Sequence, residues 1–138
     1  MSATSAGPAA MAEGAEMPEL SVTLTREQIK AYADASGDQN PIHQDDGIAR
    51  MVGLPGVIAH GMLDFGILSR AITDWIGDPA RLRSLAVRFS AMVQPGDTVT
   101  CKGRVAAVDG GAATLDVWME NQRGERVLNH GQAVVSLT

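Results

Sequence analysis

SGDQNPIHQDD, residues 36 to 46, is the stretch on which the reading of this chain turns. Gly37, Asn40 and Pro41 interrupt regular structure, so the backbone must bend here. Asp38 and His43 stand on that bend, and they are side-chain types well suited to moving protons near neutral pH. Pro41 fixes the backbone between them. A rigid turn that aims a carboxylate and an imidazole at one point is a device for acid/base catalysis. The same residues can also form an ordinary polar loop, held by bonds from Asp or Asn side chains to nearby backbone N–H groups.

Working outward, residues 19 to 24 (ELSVTL) read as a short strand, and Thr25 with Gln28 has the spacing of a capping box. The helix it opens runs through Ile29, Tyr32 and Ala33 and stops near Ser36-Gly37. Residues 44 to 50 suggest a short second helix, closed before Gly53-Leu54-Pro55-Gly56. His60-Gly61 then opens the longest helical pattern, with Met62, Phe65, Leu68, Ile72, Trp75 and Ile76 at spacings of three and four. Gly61 and Gly66 leave room for a close approach to its backbone, and Gly77-Asp78-Pro79 ends it.

Everything after Pro79 reads as antiparallel sheet. Leu85, Val87, Phe89, Ala91 and Val93 alternate with Ala86, Arg88, Ser90 and Met92. Further strands are expected at residues 98 to 108, 114 to 120 and 126 to 137, with a hairpin signal at Asp109-Gly110-Gly111 and a turn over residues 121 to 125. One long apolar helix followed by about four strands in series points to an α+β fold, a curved antiparallel sheet wrapped around a central helix.

The totals narrow the function classes. The chain's 138 residues suffice for one domain with a real core, and a net charge of −5 without a basic stripe argues against nucleic acid as partner. Residues 60 to 77 carry Asp64, Ser69, Arg70 and Asp74, too polar for a lipid span, so no membrane is expected. The N-terminal 16 residues lack the layout of a secretory signal, and their Ala, Gly, Ser and Pro content suggests a mobile tail before a domain over residues 17 to 138. The single cysteine, Cys101, fits a small core residue and a reducing cytoplasm.

SGDQNPIHQDD followed by VIAHGML, with Gly61 eighteen residues after His43, resembles the MaoC-like family of (R)-specific enoyl-thioester hydratases and dehydratases. LTREQIKAYADASGDQNPIHQDD, VGLPGVIAHGML and WIGDP ahead of VRFSAMV resemble a subgroup, the B subunits of mycobacterial (3R)-hydroxyacyl-ACP dehydratases. The resemblance covers about residues 17 to 138 and implies a single hot-dog fold. It implies reversible hydration and dehydration between trans-2-enoyl and (3R)-hydroxyacyl thioesters on ACP or CoA. Asp38 and His43 would be the acid/base pair, and the Gly61 N–H the donor to the thioester carbonyl.

The chemistry asks for such a set. Water adding at C3 needs a base, C2 needs a proton, and the carbonyl oxygen needs donors as it gains charge. A helix N-terminus at Gly61 supplies an N–H and a favourable dipole. Asn40 would brace the turn or the water, while Met62 and Phe65 pack in the core and in part line an acyl tunnel. His60 and His130 read as structural. His43, Asp45, Asp46 and His60 have plausible ligand types but match no metal spacing, and Asp45-Asp46 can equally start the short helix, so no metal is expected. No dinucleotide or phosphate-cradling motif is present in the sequence, so no cofactor is expected either. Arg81, Arg83 and Arg88 form a solvated strand face or meet a phosphate, with the former preferred.

Two other readings stay open. A hot-dog thioesterase would need a carboxylate on the central helix, for which Asp64 is the candidate. A non-catalytic binding subunit of a hot-dog heterodimer would not need Asp38 and His43. Open sheet edges favour pairing, and a homodimer is expected over a heterodimer with a second hot-dog subunit.

Overall fold

In the computed structural model, which describes residues 11–138, a five-stranded antiparallel sheet wraps one long helix. Strand β1 (Leu20–Thr23) is followed by helix α1 (Arg26–Ser36), a 3-10 turn at Pro41–His43, helix α2 (Asp46–Met51) and helix α3 (Gly61–Ile76). Four strands follow: β2 (Leu82–Phe89), β3 (Thr98–Asp109), β4 (Ala112–Glu120) and β5 (Arg126–Ser136). Their order in the sheet is β1-β3-β4-β5-β2, so β1 and β2 lie at the edges.

Local chemistry explains the boundaries. Thr25 caps α1 through a reciprocal box with Gln28, and Gly37 ends it in the left-handed region at φ 81°, where a side chain would be strained. Asp45 caps α2, which settles the role of Asp45-Asp46 in favour of a helix start. Gly110 and Gly111 both adopt positive φ in the β3–β4 hairpin. Arg81 turns inward: its Nε donates to the Ser136 carbonyl at 2.8 Å and its NH1 to the Ile76 carbonyl at 2.8 Å, tying the end of α3 to β5. Arg83 and Arg88 are exposed.

The core lies between α3 and the sheet. Leu68, Ala71, Ile72, Trp75 and Ile76 pack against Val99, Cys101, Leu115, Val117, Met119 and Leu128. Three expectations need correction. Met62 is 55% exposed rather than core, because the buried face of α3 begins at Asp64. Phe89 is 54% exposed. It closes edge strand β2, whose pairing with β5 slips between Leu82 and Ser84 and again between Ala86 and Arg88, so strict alternation does not hold. Residues 11–17, placed by the sequence reading mostly in a tail, run along β3: Gly14 N–H donates to the Val105 carbonyl, Met17 N–H to the Gly103 carbonyl, and Met11 is buried. Residues 1–10 lie outside the described residues. Among the described residues no helix is long and apolar enough to cross a membrane.

Candidate active site

The turn after α1 is held almost entirely by its own backbone and short polar side chains. Asp38 N–H donates to Ser36 Oγ at 3.1 Å, and Asn40 N–H to Asp38 Oδ1 at 3.3 Å. Asn40 Oδ1 accepts from Ile42 N–H and starts the 3-10 turn, while its carbonyl accepts from His43 N–H. Asn40 thus braces the turn. The 3-10 turn places Asp38 and His43 on one side, with Asp38 Oδ2 4.0 Å from His43 Nε2. That gap is too long for a direct hydrogen bond and short enough for one water to bridge.

A second segment clamps the first. Ile58 N–H donates to the Ile42 carbonyl, and Ala59 N–H to the Val93 carbonyl, so the strand-like run before α3 lies back against the turn. The Ile58 carbonyl sits 2.7 Å from His43 Nδ1. A carbonyl only accepts, so Nδ1 carries hydrogen, and in the neutral ring the lone pair is on Nε2, toward Asp38. The His43 side chain is 9% exposed and that of Asp38 53%, so the imidazole is shielded while the carboxylate stays accessible.

Gly61 is the first residue of α3, and its N–H has no acceptor within the helix. A Cβ at this position would come within 3.1 Å of the Phe89 ring, so Phe89 occupies the close approach that the glycine allows. A Cβ at Gly66 would meet nothing within 4 Å, and Gly66 is exposed beside half-buried Phe65 and exposed Met62. This side of the helix, which includes Ser69, is open among the described residues.

Two residues have environments that spacing did not reveal. The sequence alone reads His60 as structural near the helix start. Its ring stacks on His43, with centroids 3.8 Å apart and planes at 24°, and its Nε2 lies 3.0 Å from the Asp38 carbonyl. Sequence distance hides this, because the contact forms only when residues 58 to 60 fold back onto the turn. Asp64 is 3% exposed on the core face of α3 with Leu68, Ile72 and Trp75, and its Oδ1 has no hydrogen-bond partner among the described residues. Burial raises its carboxyl to about 7. Cys101 is buried too, its thiol pushed up to about 12 by burial and by the nearby Asp64 charge, so it is an inert core residue. His130, on β5 with φ 48°, is exposed.

Asp38, His43 and His60 bring potential ligand atoms within 4.8 Å of one another. Their geometry does not suit a cation. Nearly parallel stacked rings send their lone pairs side by side rather than to one point. Asp46, at the start of α2, is engaged elsewhere: it accepts from Val57 N–H at 2.9 Å and pairs with Arg26 at 2.7 Å, both of which hold its carboxyl below the usual range.

Comparison with known proteins places the chain in a family. The MaoC like domain model matches residues 10–124. The fatty acid synthase subunit beta of Aspergillus oryzae is 37% identical over 75% of this chain, although the chain spans only 5% of that protein. The 3-oxo-4,17-pregnadiene-20-carboxyl-CoA hydratase beta subunit of Mycobacterium tuberculosis is 32% identical over 83% of this chain and 88% of its own length. Among solved structures, a chain of the ChsH1–ChsH2 complex from M. tuberculosis superposes with a TM-score of 0.82 at 29% identity, covering 92% of this chain and 98% of that one. The (R)-hydratase from A. caviae involved in PHA biosynthesis gives 0.83 at 28% identity, covering 92% and 97%. With a hot-dog sheet wrapped around α3 and the family model spanning most of its length, the chain belongs to the MaoC-like dehydratase family.

Proposed function

We propose that this protein catalyses the reversible hydration of trans-2-enoyl thioesters to (3R)-hydroxyacyl thioesters, carried on CoA or ACP. The observation that carries the reading is the Asp38–His43 pair, 4.0 Å apart across a braced turn, with the imidazole tautomer set by the Ile58 carbonyl. One water bridging Oδ2 and Nε2 is poised for attack at C3. One member of the pair takes a proton from that water as its oxygen bonds to C3. The other, which enters the step protonated (His43 as imidazolium, with a hydrogen on Nε2 as well as Nδ1, when Asp38 is the base), gives that proton to C2, and the two exchange roles in dehydration. Electron density displaced from the C2–C3 double bond reaches the thioester oxygen, where the Gly61 N–H and the α3 dipole stabilise it until C2 is protonated. Asn40 keeps the turn in shape, and Met62 and Phe65 line the acyl side of the site on the open face of α3.

The (R) outcome rests on the family resemblance and on similarity to an (R)-hydratase. A dimer completes the site. The unpaired edge of β2 and exposed Phe89, Met62 and Met92 favour self-association, and we take a homodimer as the working unit. The similarity to a beta subunit and to a chain of a two-component complex makes a heterodimer the competing arrangement. The buried free thiol of Cys101 suits a cytoplasmic setting. Thioester hydrolysis is disfavoured, since Asp64 faces the core rather than the open side of α3.

The test is to express the chain alone and follow loss of enoyl absorbance, release of free thiol and product chirality across short to long 2-enoyl thioesters on both carriers. Hydration to (3R) product by a soluble dimer supports the proposal. Thiol release without hydration, or a mainly (3S) product, contradicts it. Activity that appears only with a co-expressed second hot-dog subunit would replace the homodimer by a heterodimer.

A further inference from the structure

The N-cap of α3 carries His60, where a helix of this length ordinarily gains from Ser, Thr, Asp or Asn. The His60 side chain makes no capping bond to its own helix. It is 2% exposed, and its Nδ1 has no hydrogen-bond partner among the described residues. The position therefore gives up stability twice, through a missing cap and an orphaned buried acceptor. Such concessions concentrate at functional sites.

What the side chain does instead is directed at the two catalytic candidates. Nε2 lies 3.0 Å from the Asp38 carbonyl, and because a carbonyl only accepts, Nε2 carries the hydrogen. The ring face lies on His43, 3.8 Å between centroids. The other side of the imidazole meets Tyr32 of α1, at 4.8 Å and 58°. Three separate segments, α1, the turn and the start of α3, thus converge on one buried ring. Among the described residues, the other hydrogen bonds of Asp38 are short local ones on an exposed loop, so the His60 bond is its long-range tether.

We propose that His60 is a positioning residue: it holds the Asp38 backbone and the His43 ring at the separation that brackets one water, so its loss lowers turnover beyond any effect on stability. This rests on the acid/base reading of Asp38 and His43. A displacement of about 1 Å at a reacting group is enough to cost a hundredfold in rate, so removing the tether is expected to act on kcat.

The experiment compares His60→Ser, His60→Gln and wild type, with Asp38→Asn and His43→Gln as controls, by melting temperature and by kcat and KM for a 2-enoyl-CoA. His60→Ser installs a good helix cap, which offsets part of the stability lost with the buried ring, so the variant is expected to remain folded at the assay temperature. Its kcat is expected to fall about tenfold to hundredfold with KM within about threefold. His60→Gln keeps an N–H donor toward the Asp38 carbonyl and recovers part of the loss. Nitrogen-15 NMR of the wild-type protein at pH 8 should show His60 as the Nε2–H tautomer and His43 as Nδ1–H, and this arm stands even if a variant fails to fold. A folded His60→Ser with wild-type kcat, or a His60 carrying its hydrogen on Nδ1, overturns the proposal. Wild-type turnover in the two controls would remove the acid/base reading and the role of His60 with it. That failure is recognisable because it shows in the controls and not in the His60 variants.

Discussion

The turn that carries Asp38 and the first turn of α3, which carries Asp64, each hold one carboxylate, and the fold treats them in opposite ways. Asp38 is half exposed, hydrogen-bonded to Asn40 N–H and separated from His43 by the width of a water. Asp64 is buried among apolar side chains, one oxygen lacks a partner among the described residues, and its carboxyl is raised to about 7. A strongly shifted acid is a common sign of an active site. Here that sign marks the group with no route to substrate within the described chain, while the chemistry is best supported where access, a partner imidazole and a helix N-terminus coincide. Environment alone does not make a catalyst; convergence does.

The comparison breaks most visibly in turnover. Asp38→Asn and His43→Gln are each expected to lower turnover by about 10²–10⁴-fold with little change in melting temperature, the usual range for removing a proton-transfer group. Steady-state hydration of a short 2-enoyl-CoA checks this. Asp64→Asn is expected to leave turnover near wild type and to change stability instead.

The direction of the Asp64 effect follows from linkage. Its folded value lies above the ordinary 3.8, so the folded state holds the proton more tightly than the unfolded chain. The stability this contributes is full below about pH 3.8 and is lost as pH rises through about 7. Asp64→Asn removes that loss, so the variant should gain on wild type progressively from pH 4 to pH 8. The rise from 3.8 to about 7 sets an upper limit of about 4 kcal/mol, at 1.36 kcal/mol per pH unit. Urea unfolding of both proteins at pH 5 and pH 8 measures it; a gap that shrinks toward pH 8 contradicts the assignment.

Asp46 sharpens the contrast from the other side. Bonds from Val57 N–H and Arg26 lower its carboxyl, so its contribution is present above the ordinary 3.8 and is lost as pH falls from there through the lowered folded value. Asp46→Asn should destabilise slightly at pH 7, and the difference from wild type should close at low pH. The smallest effect is expected at Cys101: buried and held at about 12, it should resist alkylation in the native protein at pH 8, with activity unchanged.

Much of this could be read from the residues in order. The Thr25–Gln28 box, the Gly110-Gly111 hairpin, the start of α3 at Gly61 and the strand over residues 114 to 120 are local chemistry, and they appear in the structure as expected. What escaped is non-local. Met62 fits the apolar spacing, yet it lies about 120° around the helix from Leu68 at 100° per residue, and Asp64 disguises where the buried face begins. Phe89 looked like core because register slips in an edge strand leave no mark in the sequence. His60 could not be told from a packing residue until the loop before α3 lay against the turn.

The central claim is that Asp38 and His43 act together on a single water, and the hydration rate of the Asp38→Asn/His43→Gln double variant, beside the two single variants, tests it most directly. If the pair is one unit, removing the second member after the first costs little more, and the double variant should be no more than about tenfold slower than the worse single variant. A double loss equal to the product of the two single losses, or wild-type hydration in either single variant, would contradict the account.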